Sequence, residues 1–189
     1  MNYCSEEAIL KAYAKQFQVE FISLEGIEID PKLMAKVPVS LLQKINAIPL
    51  KESEDHILAV FSDPLDIDAQ DALQRIFPNK PLRIALSFPE QINRQVSQFA
   101  LMENIKELMI EIRREINSGL IDETGTVSGI MRLIETIVTH AMSTRGSDIH
   151  IAPGEKNSSV RIRIDGLLHE TFLFDNDIYT PSPPRMKPL

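Results

Sequence analysis

Tryptophan is absent from this 189-residue chain, cysteine occurs once and glycine only seven times. The lone Cys4 excludes an intrachain disulfide framework and any cysteine-based zinc site. Gly-Lys occurs nowhere even as a dipeptide, which excludes a G-x-x-x-x-G-K-[ST] phosphate loop. Neither G-x-G-x-x-G nor G-x-S-x-G is present. In Gly125-Thr126-Val127-Ser128-Gly129 the serine is displaced by one from a nucleophile elbow. No run approaches the roughly 20 apolar residues of a membrane-spanning helix, and the N-terminus lacks a signal peptide's basic start and apolar stretch. A cytoplasmic chain without membrane insertion is expected.

What is there suits one large domain or two small ones, with 43% apolar and 25% charged residues. Net charge is −7. Residues 1–99 carry 10 basic and 14 acidic side chains, residues 100–125 carry 3 and 6, and residues 126–189 carry 7 and 7. An acidic whole argues against nucleic acid or an anionic membrane as partner, because counterion release needs clustered Lys and Arg.

The pattern predicts an α+β protein. In residues 1–99, Ser5 caps a helix whose apolar set is Ala8, Ile9, Ala12, Tyr13 and Phe17. Val19 to Ile22 reads as a strand, Asp30-Pro31 opens a short helix, and Pro38 opens another carrying Leu41, Leu42 and Ile45. Ala47–Leu50 and Ile57–Phe61 read as a hairpin, followed by a helix over Asp66–Phe77 with Ile67, Leu73 and Ile76 inward. Leu82–Leu86 is a further strand, and Pro89 starts a helix through Ile92, Val96 and Phe99. Together these make a compact α/β domain.

Residues 100–125 are expected to connect. Over 101–117, Leu101, Ile105, Leu108, Met109, Ile112 and Ile116 form one stripe and Glu103, Glu107, Glu111 and Glu115 another. Like charges at that spacing repel, and Ser118-Gly119 offers a stop. A solvated connecting helix is one reading of the segment, a partner contact the other. Residues 126–179 read as a helix-plus-antiparallel-meander domain. Its helix carries Val127, Ile130, Met131, Ile134, Ile137, Val138 and Ala141 and ends near Arg145-Gly146. Strands over Asp148–Ile151 and Val160–Ile164 follow, and Asp165-Gly166 marks a hairpin into Leu167–Phe174. Residues 180–189 are too proline-rich for helix or central strand.

Asp148 and His150 share a strand face, and His169 lies on a neighbouring strand. A metal site would need a third convergent ligand, so none is expected. Arg161 and Arg163 also share one face, either as a solvated surface or as a bidentate anion contact.

Gly146-Ser147-Asp148-Ile149-His150-Ile151-Ala152-Pro153, followed by Val160-Arg161-Ile162-Arg163-Ile164-Asp165-Gly166-Leu167-Leu168-His169-Glu170, resembles a signature of the type II secretion and type IV pilus assembly ATPases. Ile48-Pro49-Leu50, Leu58-Ala59-Val60 and Asp63-Pro64-Leu65-Asp66 resemble that family's separate N-terminal domain. Ala152 stands where the family usually has an acidic residue. Arg185-Met186-Lys187 looks like the start of the linker toward the motor, which the resemblance implies is missing along with its phosphate loop.

The resemblance implies several roles. Arg161 and Arg163 would contact nucleotide phosphates in the motor site, while Ser147, Asp148, His150, Asp165 and Gly166 would shape the sheet. No residue of this chain would be catalytic or hold a metal, and no cofactor would belong to it. ATP and magnesium are implied for the motor. Residues 1–99 would dock on an inner-membrane platform protein, and the rest would meet the chain's own motor domain and hexamer neighbours. That puts the chain in the cytoplasm, peripheral at the inner membrane through protein partners. Two alternatives stay open. One is a cyclic-dinucleotide-binding regulatory domain, although the Arg-Leu-Gly that opens such repeats is absent. The other is a freestanding protein-binding adaptor.

Overall fold

The computed structural model describes residues 5–119, 128–152 and 157–175. Cys4, Gly125 to Val127, Pro153 and the stretch 180–189 with Arg185 lie outside the described residues. The chain divides into two compact units, Met1–Met102 and Glu103–Leu189.

The first unit begins with α1 (Glu6–Gln16), whose cap Ser5 accepts a hydrogen bond from the Ala8 N–H. Its inward face is Leu10, Tyr13, Ala14 and Phe17, and Ile9 is exposed. The expected set containing Ala8, Ile9 and Ala12 is therefore rotated. Leu10 begins a better i, i+3, i+4, i+7 series with Tyr13, Ala14 and Phe17. The expected strand at Val19–Ile22 shrinks to β1 (Glu20–Phe21). Then come α2 (Pro31–Met34), capped by Asp30 with proline in its first turn, and α3 (Val39–Ile45), which ends on Asn46 in the left-handed region.

β2 (Ala47–Glu52) and β3 (Ile57–Phe61) form the expected hairpin, α4 (Ile67–Ile76) follows, and β4 (Leu82–Leu86) closes the sheet. The strand order is β1-β4-β3-β2, with β4 parallel to both β1 and β3. β2 is an edge strand, so Pro49 leaves no central ladder bond unmade. On α4, Leu73 is buried and Ile76 partly buried as expected, but Ile67 is exposed. Ile67 immediately follows the cap Asp66, and the first turn buries Ala69 instead. Phe61, Leu42, Ile48, Ile57 and Ile92 are among the largest fully buried side chains of the core.

The helix expected to end near Phe99 and the segment expected over 101–117 are one helix, α5 (Pro89–Ser118). Ala100, Leu101 and Met102 between them are strong helix formers with no breaker among them. It stops at Gly119, whose φ of +69° needs no Cβ. Ile105, Leu108 and Ile112 are buried in the second unit.

In that unit α6 (Ser128–Ser143) is followed by β5 (Asp148–Ala152), β6 (Asn157–Ile164) and β7 (Leu167–Asp175), in the antiparallel order β5-β6-β7. The β6–β7 loop is Asp165-Gly166, with φ of +49° and +83°. Two successive left-handed residues are what a type I′ turn requires, and Asp-Gly supplies them at low cost. Of the apolar residues expected on α6, Ile137 and Ala141 are buried, whereas Met131, Ile134 and Val138 are exposed. Among the described residues, no helix is long and apolar enough to cross a membrane.

Candidate functional site

The polar face of the three-stranded sheet gathers the charged residues singled out in the sequence. Ladder register sets Asp148 opposite Arg163 and His150 opposite Arg161. Side chains directly opposite one another share a sheet face, so these four form a cluster, with Ile149, Val160 and Ile162 on the reverse. Arg163 Nε lies 3.3 Å from Asp148 Oδ2, and its guanidinium also donates to the Gly166 carbonyl at 3.0 Å. The Ser147 hydroxyl donates to the same Asp148 oxygen at 2.8 Å. Ser147, Asp148, Arg163 and Gly166 thus form a chain of contacts that ties β5 to the hairpin turn. Asp165 contributes through backbone conformation, as half of that turn.

His169 stands opposite Ile162 on β7, which assigns it to the other face by register. It therefore does not complete a ligand set with Asp148 and His150. No group of three or more His, Cys, Asp or Glu residues able to hold a metal ion occurs among the described residues. The cluster can present guanidinium groups to an anion, with Arg163 already oriented by its carboxylate and carbonyl partners.

A second constellation was not legible in the sequence. The acidic stripe on α5 is engaged by α6. Glu111 receives two hydrogen bonds from Arg132, at 2.6 and 2.7 Å. Glu115 accepts from the Ser128 hydroxyl and from the Gly129 N–H at 2.9 Å, capping α6 from another helix. These bonds hold the Glu115 carboxyl below the usual carboxylate range, the Ser128 hydroxyl first and the Gly129 amide second. A Cβ on Gly129 would sit 2.6 Å from Ile112 Cγ1, so glycine there permits the close approach of the two helices. Glu103 pairs locally with Lys106. The stripe is therefore not simply solvated. Ser128-Gly129 following an acidic helix was the available signal, but a cap supplied from another element has no fixed spacing to search for.

On the reverse of the sheet, the His140 ring meets Phe172 edge to face at 5.8 Å between centroids. Burial there lowers the His140 pKa. In the first unit, an open groove of about 220 Å³ lies between the turn Leu24–Gly26 and Gln91, Arg94, Gln95 and Gln98 of α5. The Gln91 carboxamide oxygen accepts from the Leu24 N–H at 2.7 Å and so fixes that turn.

Residues 17–104 match the family described as MshEN domain, and residues 123–179 match the family described as Type II/IV secretion system protein. Over 176 residues the chain is 24% identical to the type IV pilus assembly ATPase PilB of Myxococcus xanthus, covering 87% of this chain and 31% of that protein. It is 29% identical over 153 residues to the type II secretion system protein E of Dickeya dadantii, covering 74% and 30% respectively. A solved structure described as "Structure of MshE with cdg" shares 23% identity at a TM-score of 0.47, covering 51% of this chain and 70% of that chain. The chain spans about a third or less of the length of the curated relatives it matches. With its two matched segments in sequence order, the chain is similar to the N-terminal region of the type II secretion and type IV pilus assembly ATPases.

Proposed function

We propose that this chain is the docking and regulatory portion of a cytoplasmic secretion or pilus-assembly ATPase. It does not hydrolyse ATP alone. Its first unit docks the motor on an inner-membrane platform protein, and its second unit presents Arg161 and Arg163 to nucleotide bound in the motor of a hexamer. The observation that carries the reading is the polar sheet face on which both arginines stand, with Arg163 held by Asp148 and the Gly166 carbonyl. Two guanidinium groups on one rigid face fit phosphate oxygens. ATP and its metal are assigned to the motor, because this sequence carries no G-x-x-x-x-G-K-[ST] phosphate loop to hold the nucleotide. When bound there, the metal would neutralise phosphate charge. The arginines of this chain would orient the phosphates and stabilise charge as it spreads in the transition state.

In a chain that carries the motor, Arg161→Ala and Arg163→Ala should each lower ATP turnover by at least about tenfold, with the fold unchanged by circular dichroism. Parent rates in both variants overturn the arginine assignment. Deleting residues 1–99 from the same chain should abolish co-purification with the platform protein while leaving basal turnover measurable. Retained co-purification overturns the docking assignment.

A further inference from the structure

The two partners of Arg163 are unlike in kind. The Gly166 carbonyl is neutral, belongs to the hairpin turn and accepts from Nη1 at 3.0 Å. The Asp148 carboxylate is charged and lies 3.3 Å from Nε, with the two side chains 36 and 52% exposed. Charge-assisted bonds of this type run at about 2.7–2.9 Å when they are tight. In the same unit, Arg132 meets Glu111 at 2.6 and 2.7 Å. The Asp148 oxygen that faces Arg163 also accepts from the Ser147 hydroxyl at 2.8 Å, so its chain neighbour holds it more closely than the arginine does. A loose, partly solvated pair contributes little and exchanges easily. Yet it occupies Nε, which belongs to one of the edges by which a guanidinium takes an oxyanion with two parallel bonds.

The ladder register extends the contrast across the sheet. Asp148 stands opposite Arg163, while His150 and Glu170 hold the ladder positions on either side of Arg161. Two arginines are thus matched by two acidic residues, and with His150 neutral these positions carry no net charge. Such a face draws no diffuse anion by its field alone. An anion must displace something in order to bind. Of the two contacts that hold Arg163, the one to Asp148 is the longer.

We infer that Asp148 is an internal competitor for the phosphate that Arg163 meets. The inference rests on the arginine assignment above and deepens it. An arriving phosphate oxygen takes the Nε edge, and Asp148 keeps only its bond from Ser147. The Gly166 carbonyl keeps its own bond, so the guanidinium stays aimed without its counter-ion. The carboxylate therefore lowers affinity for stray anions, and Arg163 engages a phosphate already held in place elsewhere.

The test is a titration of the whole 189-residue chain with tripolyphosphate, free of metal, followed by the amide resonances of β5 to β7. Low salt keeps exposed charges from being screened. Asp148→Asn, nearly isosteric, should bind about three- to tenfold more tightly than the parent, with circular dichroism unchanged. Asp148→Ser repeats the measurement in case the new amide bonds to Arg163 itself. The gain should vanish without the arginine: Asp148→Asn combined with Arg163→Ala should bind no more tightly than Arg163→Ala alone. Equal or weaker binding in both Asp148 variants overturns the inference, and weaker binding would make Asp148 a positioning residue. The same gain without Arg163 also overturns it, reducing Asp148 to general repulsion, as does an absence of measurable binding throughout. The arginine assignment is tested separately by turnover. Parent rates in both arginine variants overturn it and this inference together, whereas reduced rates with no gain in the Asp148 variants overturn this inference alone.

Discussion

β3 and β5 are each five residues long, yet they live in opposite environments. Ile57, Ala59, Val60 and Phe61 of β3 are buried, since β3 has a strand on each side and helices packed against the sheet. The first four residues of β5 are all exposed. Its sequence alternates Asp148, Ile149, His150, Ile151, and even its apolar side chains find only partial cover. The first unit closes over its own core, while the second leaves part of its apolar surface to be covered by something else. Stability in the first should therefore depend on single core side chains. Stability in the second should depend on the few contacts that hold α6 in place.

Leu73→Ala tests the first half of that comparison. The side chain is fully buried, and its loss should cost about 2–5 kcal/mol by urea unfolding. Hydrogen exchange should show the loss throughout the first unit and little change beyond it. Gly129→Val tests the second half, since its Cβ would meet Ile112 at 2.6 Å. About 1–3 kcal/mol should be lost, with faster exchange in α6 and slower change in β3. An unaltered α6 would show that the helix contact is not what orders the second unit.

Acid separates the units more finely. His140 has its pKa lowered by burial from an ordinary 6.5, so the stability it contributes is present above that value and lost as pH falls below it. Glu115, also lowered, contributes above its ordinary 4.5 and loses that contribution below it. In the first unit, Lys36 and Lys80 bridge to Glu52 and push it down to about 2, so its contribution is full above 4.5 and is lost progressively as pH falls from there toward 2. Between pH 7 and 5 the melting of the second unit should shift down while that of the first holds. His140→Phe should remove the upper part of that shift. Smallest of all, Arg163→Ala should cost at most about 1 kcal/mol, because its pair with Asp148 is partly solvated. A melting curve indistinguishable from the parent's would leave that residue free for contacts outside the chain.

Much of this contrast was legible from local signals. Ser5, Asp30 and Asp66 announced helix starts because a cap acts on its own first turn. Asp165-Gly166 announced the hairpin because the turn needs two residues tolerant of positive φ. What periodicity could not supply was which side of an apolar helix meets the sheet. On α1 it favoured Ile9 over Leu10, and on α6 it counted Met131 with Ile137. Both helices carry more apolar residues than one face can bury, so only packing selects among them. The Glu115 cap was hidden for a related reason: its partners lie 13 and 14 residues away. The pairing of Asp148 with His150 on one strand face, and of Arg161 with Arg163 on another, followed from strand alternation, whereas their union on one sheet face needed the ladder register. So did the removal of His169 from it.

The Asp165-Gly166 turn also sets an order of events in time. A loop of two residues costs the least chain entropy to close, and hairpins form in about 1–10 µs, well before distant segments meet. Joining β6 to β7 is thus the natural first step for the second unit, with β5 and α6 arriving on a template already made. Gly166→Ala, strained at a φ of +83°, should then slow refolding in stopped-flow experiments while scarcely changing the unfolding limb. A residue that touches no ligand would in this way govern how soon the arginine-bearing strand exists at all.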